Sequence, residues 1–237
     1  MTKMNDETRI ICSELRSAVL DAGINPADIH IHFDDDGVLH QWNDIRVEVP
    51  ESYADMSRQE QAAYMHHAIY SVLLSPGYYR NLPVQQNMVD FAHALHEYGF
   101  DVRVLSCSIN ADTSRQKMES IGECMPWLPP DKITLLPDGK GKQKMAFISP
   151  ACINGVNFLI DDHTPNCLAF EEQGGMALKC INGVNGKNGT WRGERVYADN
   201  TAASVKVFAY RLEQMIRTAE LLCIRQGNKS ENLKEER

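Results

Sequence analysis

Ile29-His30-Ile31-His32-Phe33-Asp34-Asp35-Asp36-Gly37-Val38-Leu39 is a short run of alternating apolar residues that ends in three carboxylates and a glycine. Ile29, Ile31 and Phe33 fall on one face of an extended chain, the pattern of a strand with one apolar side. Residues two apart on such a backbone point the same way, so Asp34 and Asp36 face one crevice while Asp35 faces elsewhere. Gly37 permits a sharp turn or a close backbone approach. A solvated acidic turn competes with this reading, because Asp and Gly are common turn formers. A calcium-binding EF-hand loop does not fit, since that pattern needs alternating acids with Gly at the sixth position.

Working outward, the chain alternates in type. Helical spacing covers residues 6–22, 57–74, 84–98, 113–123 (with Asp112 as its cap) and 200–225, and strand-like runs cover 101–107, 132–136, 156–160 and 176–181. Strands alternating with helices predict an α/β fold with a mostly parallel sheet, which binds ligands at the carboxyl ends of its strands. Those ends carry Asp34, Asp36, Ser106, Asp161 and Asp162. Residues 227–237 are polar and predicted to form a frayed, disordered tail.

The 237 residues suffice for one domain with a lid. A net charge of −8 argues against nucleic acid or an anionic membrane as a general partner. No apolar run is long enough to span a bilayer, and the first residues lack the apolar core of a signal peptide. Seven cysteines without a CxxC pair read as reduced thiols, which predicts a cytoplasmic protein.

The order Asp34-x-Asp36-Gly37, a strand ending in Ser106-Cys107-Ser108, Lys144, then Leu159-Ile160-Asp161-Asp162 resembles the four motifs of the haloacid dehalogenase (HAD) superfamily of phosphatases. Within it, Pro76-Gly77-Tyr78-Tyr79-Arg80-Asn81-Leu82, the segment Asp161-Asp162-His163-Thr164-x-Asn166, and Ile181-Asn182-Gly183-x-Asn185-Gly186-x-x-Gly189-Thr190-Trp191 resemble the 5'(3')-deoxyribonucleotidase family. The likeness runs from about Ile29 to Trp191 and implies a HAD-like Rossmannoid core built from residues 1–39 and 84–237. Residues 40–83 would be a small helical cap inserted after the first strand, and 1–27 an extra amino-terminal helix that either packs on the sheet or forms a homodimer interface.

The resemblance implies Mg2+-dependent hydrolysis of a phosphomonoester, a nucleoside monophosphate first among candidates. Asp34 would be the nucleophile and Asp36 the general acid and base. Asp34, Asp36 (through its backbone carbonyl) and Asp161 or Asp162 would hold the metal, which a carboxylate approaching a phosphate dianion needs. Ser106, Ser108 and Lys144 would bind the phosphoryl group, with Cys107 at the donor position in an alternative register. Trp42, Tyr78 and Tyr79 are candidate surfaces for stacking a base, and each is equally readable as core. Lys144 competes with a solvated basic run that includes Lys140 and Lys142. Two other readings stay open: a phosphatase for another small phosphoester, and a catalytically silent nucleotide- or metal-binding protein. His66-His67 and His93-x-x-His96 lack a cysteine or carboxylate cluster beside them and read as surface or core residues.

Overall fold

The computed structural model describes residues 5–42, 45–184 and 190–235, with side chains described through residue 218. The motif residues Asn185, Gly186 and Gly189 lie outside the described residues. Six strands form one all-parallel sheet: β1 (Ile29–Phe33), β2 (Asp101–Ser108), β3 (Ile133–Pro137), β4 (Val156–Asp161), β5 (Met176–Ile181) and β6 (Arg195–Tyr197). Their spatial order is β3-β2-β1-β4-β5-β6. This is a Rossmann-like α/β arrangement in which the chain winds outward from β1 in both directions, and the crevice opens between β1 and β4. The three-residue β6 is too short to leave a periodic signal in the sequence.

Six α-helices are described: α1 (Asp6–Asp21), α2 (Arg58–Leu73), α3 (Gln86–Glu97), α4 (Ala111–Cys124), α5 (Thr164–Glu172) and α6 (Thr201–Glu235). α6 continues to Glu235, through the segment where the sequence predicts a polar tail. α4 is capped by Asn110, not Asp112: the Asn110 side chain accepts from the Thr113 amide, and Thr113 Oγ1 accepts from the Asn110 amide. Asp112 lies in the first turn, where its charge suits the helix dipole. No helix among the described residues is long and apolar enough to cross a membrane.

The amino-terminal helix is a packing element. Cys12, Leu15 and Val19 of α1 are buried in the main core with Val205, Phe208 and Leu212 of α6. The Phe208 ring meets Phe158 of β4 at 5.0 Å and Phe100 at 6.0 Å between centroids. Residues 45–83 add α2, whose Ser57–Glu60 capping box starts it, and short 3-10 turns. Their apolar residues form only a small cluster of Leu73, Tyr79 and Leu82 with Trp42, Ile45, Ile69, Tyr78 and Ile109. A cluster of that size does not sustain an independent fold, so this segment depends on the sheet beneath it.

β1 departs from its one-sided pattern: all five residues are buried, because helices cover both faces of a central parallel strand. The two histidines on the second face are therefore enclosed, and each has a partner. His30 Nδ1 lies 2.7 Å from Asp101 Oδ2, and His32 Nε2 lies 3.0 Å from Asn157 Oδ1. Burial pushes the His32 pKa down to about 4, against the opposing Asn157 bond. The unfolded chain takes up this proton near pH 6.5 and the folded chain does not, so stability is full above pH 6.5 and falls as the pH drops towards 4. Urea unfolding at pH 7.5 and 4.5 should therefore show about 2–3 kcal/mol less acid destabilisation in His32→Gln than in the parent. Equal losses in the two proteins would remove His32 as the cause.

Candidate active site

The crevice between β1 and β4 collects the candidate residues. Asp34 directly follows β1, and its amide donates to the Ile160 carbonyl of β4 at 2.9 Å. Asp161 is the last residue of β4, and Ser106 lies near the end of β2 on the other side of β1. A cavity of about 270 Å3 opens there, lined by Asp34, Asp36, Trp42, Ser106, Cys107, Lys144, Asp162, His163 and Asn166.

The loop after β1 is a tight turn built on Asp35, whose carbonyl accepts from the amides of Val38, Leu39 and His40. Gly37 has φ +78°, which an L side chain rarely adopts. A Cβ at this position would sit 2.2 Å from Asp162 Oδ2 and 2.8 Å from Asn182 Nδ2. Asn182, just beyond β5, donates to the Gly37 carbonyl at 2.8 Å and to Asp162 Oδ2 at 2.9 Å. Glycine thus lets the β1 loop touch the β4 and β5 loops. Gly37→Ala should destabilise the fold by roughly 1–3 kcal/mol in chemical denaturation, from backbone strain and the clash together. A variant as stable as the parent would contradict this close approach.

Two buried lysines hold the carboxylates. Lys144, in the 3-10 segment Gly141–Phe147, places Nζ 2.6 Å from Asp161 Oδ2 and 3.0 Å from Asp34 Oδ1. It is almost fully enclosed, so it belongs to the site rather than to a solvated basic run. Burial alone would lower its pKa, but the charges of Asp161 and Asp34 outweigh burial and raise it. Lys117 of α4 lies 2.5 Å from Asp36 Oδ2, 2.7 Å from the Cys107 carbonyl and 3.8 Å from Asp35 Oδ2. Its ammonium also sits 4.7 Å from the centroid of the Tyr79 ring.

Asp35 faces away from the cavity, as the alternation predicts. Its Oδ1 meets His40 Nδ1 at 2.6 Å, and His40 Nε2 meets Ser120 Oγ at 2.7 Å. Burial disfavours charged His40, yet the Asp35 bond and neighbouring groups carry its pKa up to about 10. Burial raises Asp36 to about 7, opposed by Lys117 and reinforced by Asp35 and Asp34. Asp162 is raised to about 8 by burial, then by Asp161 and Asp34. Crowding of carboxylates contributes to both shifts, but burial is the larger cause.

Oxygens of Asp34, Asp161 and Asp162 all lie within 4.8 Å of one another, close enough to share one cation. Asp161 is held by its neighbours: its oxygens accept from Lys144, Asn166 and the His163 amide. Asp162 lines the cavity. Asp36 Oδ1 is buried with no hydrogen-bond partner in the described protein.

Several expected contacts are placed elsewhere. Ser106 lines the cavity, but Ser108 Oγ lies 2.6 Å from Ser114 Oγ of α4 and is absent from the described cavity wall. Trp42 lines the cavity; Tyr78 and Tyr79 do not. They meet edge to face at 5.1 Å within the small cluster beneath α2, and Tyr79 is buried against Lys117. His93 and His96 pack on Trp127, and His66 stacks on Tyr70.

Lys117, His40 and Ser120 escaped the sequence reading, which quoted Asn182, His163 and Asn166 in its motifs without giving them a role. One signal pointed to Lys117 and Ser120. The sequence of α4, ADTSRQKMESIGEC, has few apolar residues, yet Thr113, Gln116, Lys117 and Ser120 are buried. A sheet-covering helix without an apolar stripe has to bury polar side chains, and these need polar partners. No family model matches the chain, and no curated protein matches it.

Proposed function

We propose that the protein is a Mg2+-dependent phosphomonoester hydrolase of the HAD type that acts on a small phosphate ester, a nucleoside monophosphate first among candidates. The observation that carries this reading is a cluster of carboxylates in one buried site, three of them with oxygens close enough to share a cation. Five carboxylates, Asp34, Asp35, Asp36, Asp161 and Asp162, face three cations, Lys117, Lys144 and His40. A divalent ion held there would add positive charge and favour the ionised form of Asp162, whose pKa burial otherwise raises to about 8. All-oxygen donors suit a hard cation such as Mg2+.

Asp34, Asp161 and Asp162 would hold the ion, with Asp162 on the cavity side and the Asp36 carbonyl as a further oxygen donor. Bound there, the ion would neutralise phosphoryl charge and let a carboxylate approach it. Asp34 attacks phosphorus and becomes an aspartyl phosphate, and the ester oxygen leaves with a proton from Asp36. Asp36 then accepts a proton from the water that hydrolyses the acyl phosphate and regenerates Asp34. Lys144 orients Asp34 and offsets charge on the phosphoryl oxygens, and Ser106 supplies a hydroxyl donor on the wall. Trp42 offers the aromatic surface of the cavity, which supports a base-bearing substrate. Described cysteines with free thiols support a reducing, cytoplasmic setting.

Phosphate release should be measured from ribo- and deoxyribonucleoside monophosphates, sugar phosphates and an aryl phosphate, with Mg2+ and with EDTA. The expected result is release concentrated on nucleotides and abolished by EDTA. Asp34→Asn should lower turnover by roughly three orders of magnitude or more while the protein stays folded. Release spread evenly over all esters would remove the nucleotide assignment. Full activity in EDTA, or in Asp34→Asn, would overturn the mechanism.

A further inference from the structure

A second cavity, of about 400 Å3, lies away from the carboxylates, where the segment Arg80–Val84 meets α3 and α4. Val89 and Trp127 form apolar wall, Asp90 and Glu123 carry negative charge, and Arg80 and the nearly enclosed Ser120 also line it. Arg80 is already engaged: Nη1 meets Glu119 at 2.9 Å and Nη2 meets Glu123 at 2.7 Å. An anion therefore finds two carboxylates and a committed guanidinium. The indole of Trp127 is backed by His96, whose ring stacks on it at 4.6 Å, which presents a rigid aromatic wall.

Ser120 connects this cavity to the catalytic loop. Its hydroxyl is nearly enclosed, and its only described hydrogen bond is to His40 Nε2 at 2.7 Å. A hydroxyl has one donor and two acceptor positions, so Ser120 retains hydrogen-bonding capacity. His40 in turn grips Asp35 at 2.6 Å, and the Asp35 amide donates to Asp34 Oδ1 at 2.9 Å. Ser120 is thus linked through His40 and Asp35 to the residue assigned as nucleophile.

We propose that this cavity is a second ligand site, for a planar neutral or cationic heteroaromatic molecule of indole or nucleobase size, and that Ser120 and His40 transmit its occupancy to the Asp35 loop. The volume suits such a molecule, the wall offers stacking, and the charge selects against anions. Phosphorylated molecules are disfavoured here, in contrast to the site between β1 and β4.

Indole, benzamidine and benzoate, as neutral, cationic and anionic probes, should be titrated into the full chain by NMR. Indole and benzamidine should saturate, shift the Trp127 indole resonance and shift the His40 ring resonances, while benzoate binds at least tenfold more weakly. Trp127→Ala should weaken indole binding roughly tenfold. Ser120→Ala should weaken the response of His40 to bound indole, with Cys124 of the cavity wall as the remaining neighbour of His40. Benzoate binding as well as benzamidine, no binding by indole or benzamidine, or saturation without movement of His40 would each overturn the proposal. Every readout is binding or a chemical shift, so an absence of phosphatase activity leaves the outcome unaffected.

Discussion

The structure depends on the containment of buried negative charge at the carboxyl end of a parallel sheet. Asp34 and Asp161 end up within reach of each other because β1 and β4 are neighbours, and Lys144 spans the two. Placing carboxylates this close in a water-poor crevice is unfavourable unless cations compensate them. The surrounding residues make sense as that compensation. Lys144 serves Asp34 and Asp161, Lys117 serves Asp36 and stands near Asp35, and His40 serves Asp35.

One helix supplies much of the support. From α4, Lys117 reaches Asp36, Ser120 reaches His40, Ser114 pairs with Ser108, and Gln116 Oε1 accepts from the Tyr79 amide. Glu119 and Glu123 hold Arg80 on the same helix. The Asp35 loop and the segment leading back from α2 are therefore both positioned by α4. Its inward face is polar because its neighbours are charged, and the helix stays in place through these bonds rather than through an apolar stripe.

What could be read from the sequence was local in origin. Ile29-x-Ile31-x-Phe33 marks a strand, and the three aspartates with Gly37 mark its end, because both patterns arise from neighbouring residues. The alternation of elements was enough to place Asp34, Ser106 and Asp161 at one edge of a sheet. The burial of His30 and His32 was hidden, since the pattern of a strand does not tell how many layers cover it. The Lys117–Asp36 and Ser120–His40 contacts join residues 81 and 80 positions apart, beyond any periodicity. Tyr78 and Tyr79 show the converse: aromatic residues in a loop announce a surface, but packing direction turned Tyr79 inward, beneath the Lys117 ammonium.

The tie from Asn182 to the Gly37 carbonyl joins residues 145 positions apart. On a ribosome adding about 5–20 residues per second, that separation amounts to roughly 7–30 seconds of synthesis. Until β4 emerges, β1 has only β2 beside it and exposes an unpaired edge. Lys117 and Lys144 both precede β4 in the chain, so both cations are synthesised before the strand that closes the crevice. The cations that compensate the carboxylates thus leave the ribosome ahead of the strand that encloses them.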